Sequence, residues 1–530
     1  MAGAAQAATE RCDIGKLAEL PVTMDGLRPH VTVKINGVDA IFIADSGAFY
    51  SFIDRETVRR LKLGSDMTPI GFSVSGVSGS DSRVDVTTVR SFGLGGITIP
   101  NVRFLAMPGV GFGSSGLLGQ NVLSVFDTEY DLGNGMIRLM KPSDGCRRAR
   151  VAYWAGPRPV GIVDMDTITP QHSQLRGNAK LNGRSIKVLF DTGSPVSYVK
   201  ESTARRLGFR PEGPGVQAGG STGGIGSRRM ETWIAPFDEL DIGGEKILHT
   251  RLRVADIELN DADMLLGADF FLSHRVYVSK QQRRLFFTYN GGPVFQLGEP
   301  PVVSAVAAEP AQALADPYAD APTDAAGFAR RGDASMARRD FGAALADFTK
   351  ASELEPKNAA HFVRRAQAHM ALHQPVLAMA DFDHALSLKP DDVAARIGRG
   401  RLYLAGGDLT RTKADFDAAI AAKPDLALPI AVLYTDAARF EPAIALYDGW
   451  IAANPGSATL YSALNGRCWA RSLWGHELDK AIADCQAAVR RGPHIAALFD
   501  SRGMAHLRRG EFDLAIADYN EALKLQPKLA

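Results

Sequence analysis

Through residue 290 the apolar positions fall in short, strand-length blocks separated by turn residues. Val33-Lys34-Ile35 alternates up to Asn36-Gly37, and the apolar run Ala40-Ile41-Phe42-Ile43-Ala44 follows. The same order returns as Ala179-Lys180-Leu181, Asn182-Gly183 and Ile186-Lys187-Val188-Leu189-Phe190. Asn-Gly between two such runs predicts a tight β-hairpin. Past residue 325 the pattern changes to Ala-rich stretches with apolar residues at helical spacing. Glycine follows the same divide, with 39 of the 53 glycines in residues 1–300. Between the two regimes, residues 291–324 hold six prolines (Pro293, Pro300, Pro301, Pro310, Pro317, Pro322), a linker composition. The reading is a multidomain β + α chain: an N-terminal segment (1–19), a first β lobe (20–150), a second (151–292), a Pro/Ala-rich linker (293–324) and a helical array (325–530).

Composition narrows the classes. The 530 residues carry 60 Lys+Arg against 59 Asp+Glu, a net charge of +1. That balance argues against a nucleic-acid clamp or a polybasic membrane binder. Apolar residues at 45% and charged residues at 22% are ordinary for packed domains. No apolar run reaches 18 residues, so no membrane-spanning helix is expected.

The two β lobes are copies. Asp45-Ser46-Gly47-Ala48 ends the first apolar run and Asp191-Thr192-Gly193-Ser194 ends the second, 146 residues later. Each copy continues into an Arg-containing amphipathic stretch, Thr57–Leu63 and Thr203–Phe209. Each later reaches a double Leu and Gly, Leu117-Leu118-Gly119 and Leu265-Leu266-Gly267, 148 residues apart. An acid closing an apolar strand is costly unless it has a partner or a task. Two placed equivalently can meet across the axis relating the lobes. Held close, they share one proton, so one can take a proton from water while the other polarises a carbonyl. Ser46 and Thr192 offer hydroxyls to hold the acids, and Gly47 and Gly193 allow close backbone approach.

These motifs resemble the aspartic proteases, and the short lobes with Leu-Leu-Gly look most like the retropepsin-like bacterial members, here with both copies in one chain. The resemblance covers about residues 20–290. It implies a bilobal all-β acid-protease fold with Asp45 and Asp191 as the catalytic dyad. Ser46, Gly47, Thr192 and Gly193 would support the active-site loops, and no cofactor would be needed. It also implies β-hairpin flaps over the substrate. The matching stretches are Gly71–Val86, with Gly76 and Gly79 at its tip, and Val216–Glu231, with Gly219, Gly220, Gly223, Gly224 and Gly226. Neither tip carries the Tyr of pepsin-like flaps.

Other signals weigh less. Gly111-Phe112-Gly113-Ser114-Ser115-Gly116 matches a dinucleotide fingerprint, with Asp131 downstream, but runs straight into Leu117-Leu118-Gly119 rather than into a helix. Asp261 and Asp263 lack the remaining spacing of a calcium loop. The 11 histidines form no zinc-type cluster, so no metal is implied, and His172 and His274 are expected at the surface or at caps. Cys12 and Cys146 bracket the first lobe, while Cys468 and Cys485 fall on two helices of one repeat. Both pairs are possible disulfides, which suits a periplasmic or secreted protein, with a cytoplasmic one as the alternative. The opening residues hold an Ala5-Gln6-Ala7 pattern like the tail of a signal peptide, without its basic and apolar regions; a disordered Ala-rich terminus is the plainer reading.

In the helical array prolines recur at 356, 390, 424, 455, 493 and 527, with gaps of 34, 34, 31, 38 and 34. Ala344/Phe348, Ala378/Phe382, Ala443/Tyr447 and Ala515/Tyr519 stand at one offset before them, with Ala481/Cys485 a near match and Thr412/Phe416 a weaker one. Gly332, Gly400 and Gly503 each lie 24 residues before their proline. The spacing resembles about six tetratricopeptide repeats, a helical solenoid, with the odd gaps marking a shortened and a lengthened helix connection. The resulting expectation is an aspartic endopeptidase acting on protein or peptide substrates, with a protein partner on the concave repeat surface, no nucleic-acid partner, and a monomeric state because the fused lobes need no dimer. The competing expectation is an inactive peptide-binding scaffold.

Overall fold

The computed structural model describes residues 12–68, 74–76, 79–81, 84–109, 113–167, 174–223, 230–259, 261–295, 297 and 322–526. Gly71, Gly111, His172, Gly224, Gly226 and residues 298–321 of the linker lie outside them. The chain forms two compact units, Met1–Leu354 and Glu355–Ala530.

In the first unit each lobe starts with the expected hairpin. Arg28–Ile35 pairs antiparallel with Val38–Ala44, and Arg176–Leu181 with Arg184–Phe190. The turns need left-handed backbone at both positions: Asn36 has φ 49° and Gly37 88°, Asn182 47° and Gly183 74°. Asn and Gly adopt that conformation most readily. Phe42, Ile43 and Ala44 are all buried, as are Val188, Leu189 and Phe190, which explains a continuous apolar run rather than alternation. A short parallel strand lies beside each run, Gly116–Leu118 in lobe 1 and Met264–Leu266 in lobe 2. The amphipathic stretches form short helices, Arg55–Arg60 and Glu201–Arg206.

A central sheet joins the lobes. Its strands run Gly161–Asp164, Arg284–Tyr289, His274–Ser279, Asp127–Asp131, Met136–Pro142, Ile14–Asp25. The lobes meet where Asp127–Asp131 pairs antiparallel with His274–Ser279, Tyr130 opposite Val276. His274, expected at the surface or at a cap, is the C-cap residue of the helix Ala268–Ser273 and is buried rather than exposed. Its ring stacks on Phe270 at 4.0 Å, Nδ1 faces Phe270 O and Nε2 faces Glu245 Oε1, both at 2.8 Å. With both nitrogens partnered, burial carries little penalty. Cys12 and Cys146 form a disulfide beside the paired ends of Ile14–Asp25 and Met136–Pro142.

The first unit does not end with its sheets. Helices Ala325–Ala337 and Phe341–Leu354 belong to it, one helix pair beyond the change in composition. Ala334 joins the common core, and Arg338 Nη1 donates to Leu272 O at 3.2 Å.

The second unit continues the helical array, from Ala359–Ala371 to Phe512–Leu525. An Arg of one helix grips an Asp of the next in Arg365/Asp381, Arg399/Asp415, Arg467/Asp484 and Arg502/Asp518. The recurring aromatic lies on a glycine where a Cβ would collide, 2.6 Å from Phe416 for Gly400 and 2.5 Å from Tyr447 for Gly466. In the repeat where Cys485 replaces the aromatic, a disulfide to Cys468 takes that contact's place. The 31-residue gap does not come from the expected shortened connection, which keeps three residues, but from a helix of 10 residues, Ala427–Asp436, where the preceding repeat has 13 in Val393–Ala405. No helix among the described residues is long and apolar enough to cross a membrane.

Candidate active site

Main-chain bonds deliver each acid to the same place. Asp45 N donates to Leu118 O at 2.9 Å and Asp191 N to Leu266 O at 2.8 Å. The Leu-Leu-Gly segments are therefore the shelves on which the acid loops rest. Gly119 and Gly267 are required there: a Cβ would lie 2.3 Å from Tyr50 O in one lobe and 2.6 Å from Val196 O in the other. Ser51 and Ser197, again 146 residues apart, accept the Gly119 and Gly267 N–H, each at 2.9 Å. Neither serine was singled out from the sequence, although the shared offset marks them.

The two loops interlock. Ser46 N donates to Thr192 Oγ1 and Thr192 N to Ser46 Oγ, both at 3.0 Å. Ser46 Oγ donates to Phe190 O at 2.9 Å and Thr192 Oγ1 to Ala44 O at 2.7 Å. Each hydroxyl thus accepts from the opposite loop and donates to the opposite strand, using both of its capacities.

This grip brings the acids together. A Cβ on Gly47 would lie 2.2 Å from Asp191 Cγ, and one on Gly193 2.2 Å from Asp45 Cγ. Each carboxyl thus sits against the other acid's loop. Gly47 and Ala48 N–H donate to Asp45 Oδ1 at 2.9 and 2.8 Å; Gly193 and Ser194 N–H donate to Asp191 Oδ1 at 2.9 and 3.2 Å. Burial pushes the Asp45 carboxyl well above the usual carboxylate range, and the neighbouring Asp191 charge pushes the same way. Burial also raises Asp191, opposed by the Asp45 side chain and by backbone N–H groups. The pair is built to hold one proton between two oxygens at pH values where an ordinary carboxyl has lost it.

Of the flap stretches, Val74–Gly76 and Gly79–Asp81 form a two-stranded hairpin with Gly76 opposite Gly79. In lobe 2, Gln217–Thr222 pairs with Met230–Ile242, with its register broken between Ala218 and Ser221, where Gly220 has φ 78°. Gly223 follows that strand. Tyr198 Oη donates to Thr222 Oγ1 at 2.8 Å, and Arg253 Nη1 to Gly219 O at 2.8 Å. The dinucleotide-like glycines lead into the parallel strand Gly116–Leu118, and Asp131 lies in the central sheet, buried against Arg138.

A family profile described as aspartyl protease matches residues 31–122 and again 178–270. Profiles described as tetratricopeptide repeat match 330–393, 363–427 and 496–529. Tetratricopeptide repeat protein 33 of Xenopus laevis is 31% identical over 96 residues, 18% of this chain and 35% of that protein. Hsc70-interacting protein 1 of Drosophila melanogaster is 34% identical over 87 residues, 16% of this chain and 22% of that protein. The chain thus spans about a third or less of these relatives. Among solved structures, the tetratricopeptide protein YrrB is 20% identical with a TM-score of 0.27, covering 34% of this chain and 93% of that one. A repeat protein from Parabacteroides merdae is 22% identical with a TM-score of 0.30, covering 39% of this chain and 80% of that one. The chain carries a duplicated, retropepsin-like aspartyl protease domain followed by tetratricopeptide repeats.

Proposed function

We propose that the chain is an aspartic endopeptidase, with Asp45 and Asp191 activating a water to hydrolyse peptide bonds. The observation that carries this reading is the mutual seating of the two carboxyls, each against the other loop's glycine. In the reaction the ionised acid takes a proton from water as its oxygen attacks the peptide carbonyl. The protonated acid donates to that carbonyl oxygen as the tetrahedral carbon forms, and the proton then passes to the leaving amine. The helical repeats recruit a protein substrate or dock the enzyme on a partner, since stacked repeats build an extended concave surface. The chain works as a monomer, both acids coming from one polypeptide. All four cysteines are paired, which supports work in an oxidising compartment such as a periplasm or cell exterior.

The test is cleavage of denatured casein across pH 3–8, with and without an active-site-directed aspartic protease inhibitor. Inhibitor-sensitive cleavage is expected, and Asp45→Asn or Asp191→Asn alone should lower the rate at least about a thousandfold, since half a pair cannot do both proton jobs. Retention of cleavage in either variant would sink the reading.

A further inference from the structure

One side chain of lobe 2 reaches into the acid loop of lobe 1. Gln174 Nε2 donates to Gly47 O at 2.7 Å, and Gln174 Oε1 accepts from Arg176 Nη2 at 2.5 Å. The carboxamide can face only this way, because a guanidinium has no acceptor and a carbonyl no donor. Gly47 C=O belongs to the same peptide unit as Ala48 N–H, and that N–H donates to Asp45 Oδ1 at 2.8 Å. Guanidinium, carboxamide and peptide therefore form a chain of three hydrogen bonds with every donor pointing toward Asp45. Such aligned bonds polarise one another, more so where water is excluded. Arg176 is buried, and its Nη1 lies 3.6 Å from the exposed Asp261 carboxylate.

Lobe 1 has Arg28 where lobe 2 has Gln174, and a histidine where lobe 2 has Arg176. The residue equivalent to Arg176 is His30, opposite Ile43 as Arg176 is opposite Leu189. Burial lowers the affinity of the His30 imidazole for a proton. The Ser194 N–H lies 3.2 Å from Asp191 Oδ1, against 2.8 Å for Ala48 to Asp45, and is shared with Asp191 O at 3.3 Å.

We propose that Gln174 and Arg176 are positioning residues for the reaction: they orient the Gly47–Ala48 peptide across the lobe boundary and stabilise negative charge on Asp45. The proposal rests on reading Asp45 and Asp191 as the catalytic pair. The charged and titratable groups around this path are Asp191 and the buried Tyr130 beside Asp45 and, at the other end, Asp261. The path opposes the push that burial and Asp191 exert on Asp45.

The test compares Gln174→Met, which keeps the size but removes the donor, with Gln174→Glu, which sets an oxygen against Gly47 O. Apparent pKa values of the acid pair are read by carboxyl-carbon NMR on the full chain with labelled aspartate, assigned by the signals lost in Asp45→Asn. Both variants should titrate at higher pH than the wild type, by about half a unit or more, Gln174→Glu the further. With denatured casein as the probe, kcat should fall about tenfold with KM within about twofold, and the acid limb of the rate profile should move to higher pH. Unchanged titration in both variants overturns the proposal. Absence of casein cleavage by the wild type would instead fell the reading of function, and the NMR titration would still decide whether the path stabilises charge on Asp45.

Discussion

The two lobes agree closely where they face the acids and differ where they face each other. Around the acids the strand, shelf, glycine and serine are repeated almost bond for bond. In the central sheet the offset of 146 residues instead joins opposites, Glu129 in lobe 1 and Arg275 in lobe 2. Arg275 Nη2 and Nε lie 2.9 and 3.1 Å from Glu129 Oε1, and Arg138 Nη1 is 2.6 Å from that same oxygen and 3.2 Å from Asp131 Oδ2. Tyr153 Oη donates to Glu129 Oε2 at 2.6 Å, and the Arg275 guanidinium lies 4.8 Å over the Trp154 ring. Two buried acids and two buried guanidiniums thus form one cluster, with the exposed Glu19 carboxylate 3.3 Å from Arg138 Nε at its edge. Lobe 1 paired with a copy of itself would set Glu129 beside a second Asp131, and buried like charges penalise that arrangement. Duplication kept the chemistry symmetric while divergence made the partner specific.

The most severe way to break this contrast is to orphan a charge in the cluster. Glu129→Ala and Arg275→Ala should each cost about 3–5 kcal/mol in denaturant unfolding. The double variant, which leaves Asp131 and Arg138 as a neutral pair, should cost clearly less than the sum. Additive losses would mean that the two residues act separately.

The acid side of the comparison is sharpened by Ser46→Ala and Thr192→Val. Each removes a hydroxyl with the same two bonds, so the two should lose equal stability, about 1–3 kcal/mol in the same measurement. A marked inequality would show that the interlock is symmetric in geometry only.

The smallest effect is one of pH. Both acids have raised pKa values, so the folded protein holds more protons than the unfolded chain above the ordinary carboxylate range. Their contribution to stability is therefore present at acid pH and lost as pH rises through the raised values. Asp45→Asn should lose less stability over that rise, so its melting temperature relative to wild type should climb from pH 4 to pH 8. Asp191→Asn should show the same sign with a smaller change.

Much of this arrangement was legible because it occurs twice. The paired Asn-Gly turns, the two acid signatures and the two Leu-Leu-Gly segments verify one another, whereas any one alone is a common string. The repeat helices were legible for the same reason, through proline and Ala-aromatic spacing. What escaped depends on pairings between distant strands. Glu129 and Arg275 stand at equivalent offsets, but their contact follows from the register of Asp127–Asp131 against His274–Ser279, which neither segment announces. Gln174 and Arg176 look like ordinary polar residues entering a strand, and His274 like a surface or capping imidazole, a cap whose burial shows only when Phe270 and Glu245 are set around its ring.

The first helix pair belongs to the same compact unit as the two β lobes. Gly133 and Gly135 leave room for Arg330 of the helix Ala325–Ala337 and its C-cap Arg338 to press on the turn between two central strands, where a Cβ would lie 2.9 Å from Arg338 and 2.7 Å from Arg330. A fragment trimmed at the proline-rich linker would bare that turn and part of the shared core, so the smallest self-sufficient form of this unit extends through residue 354.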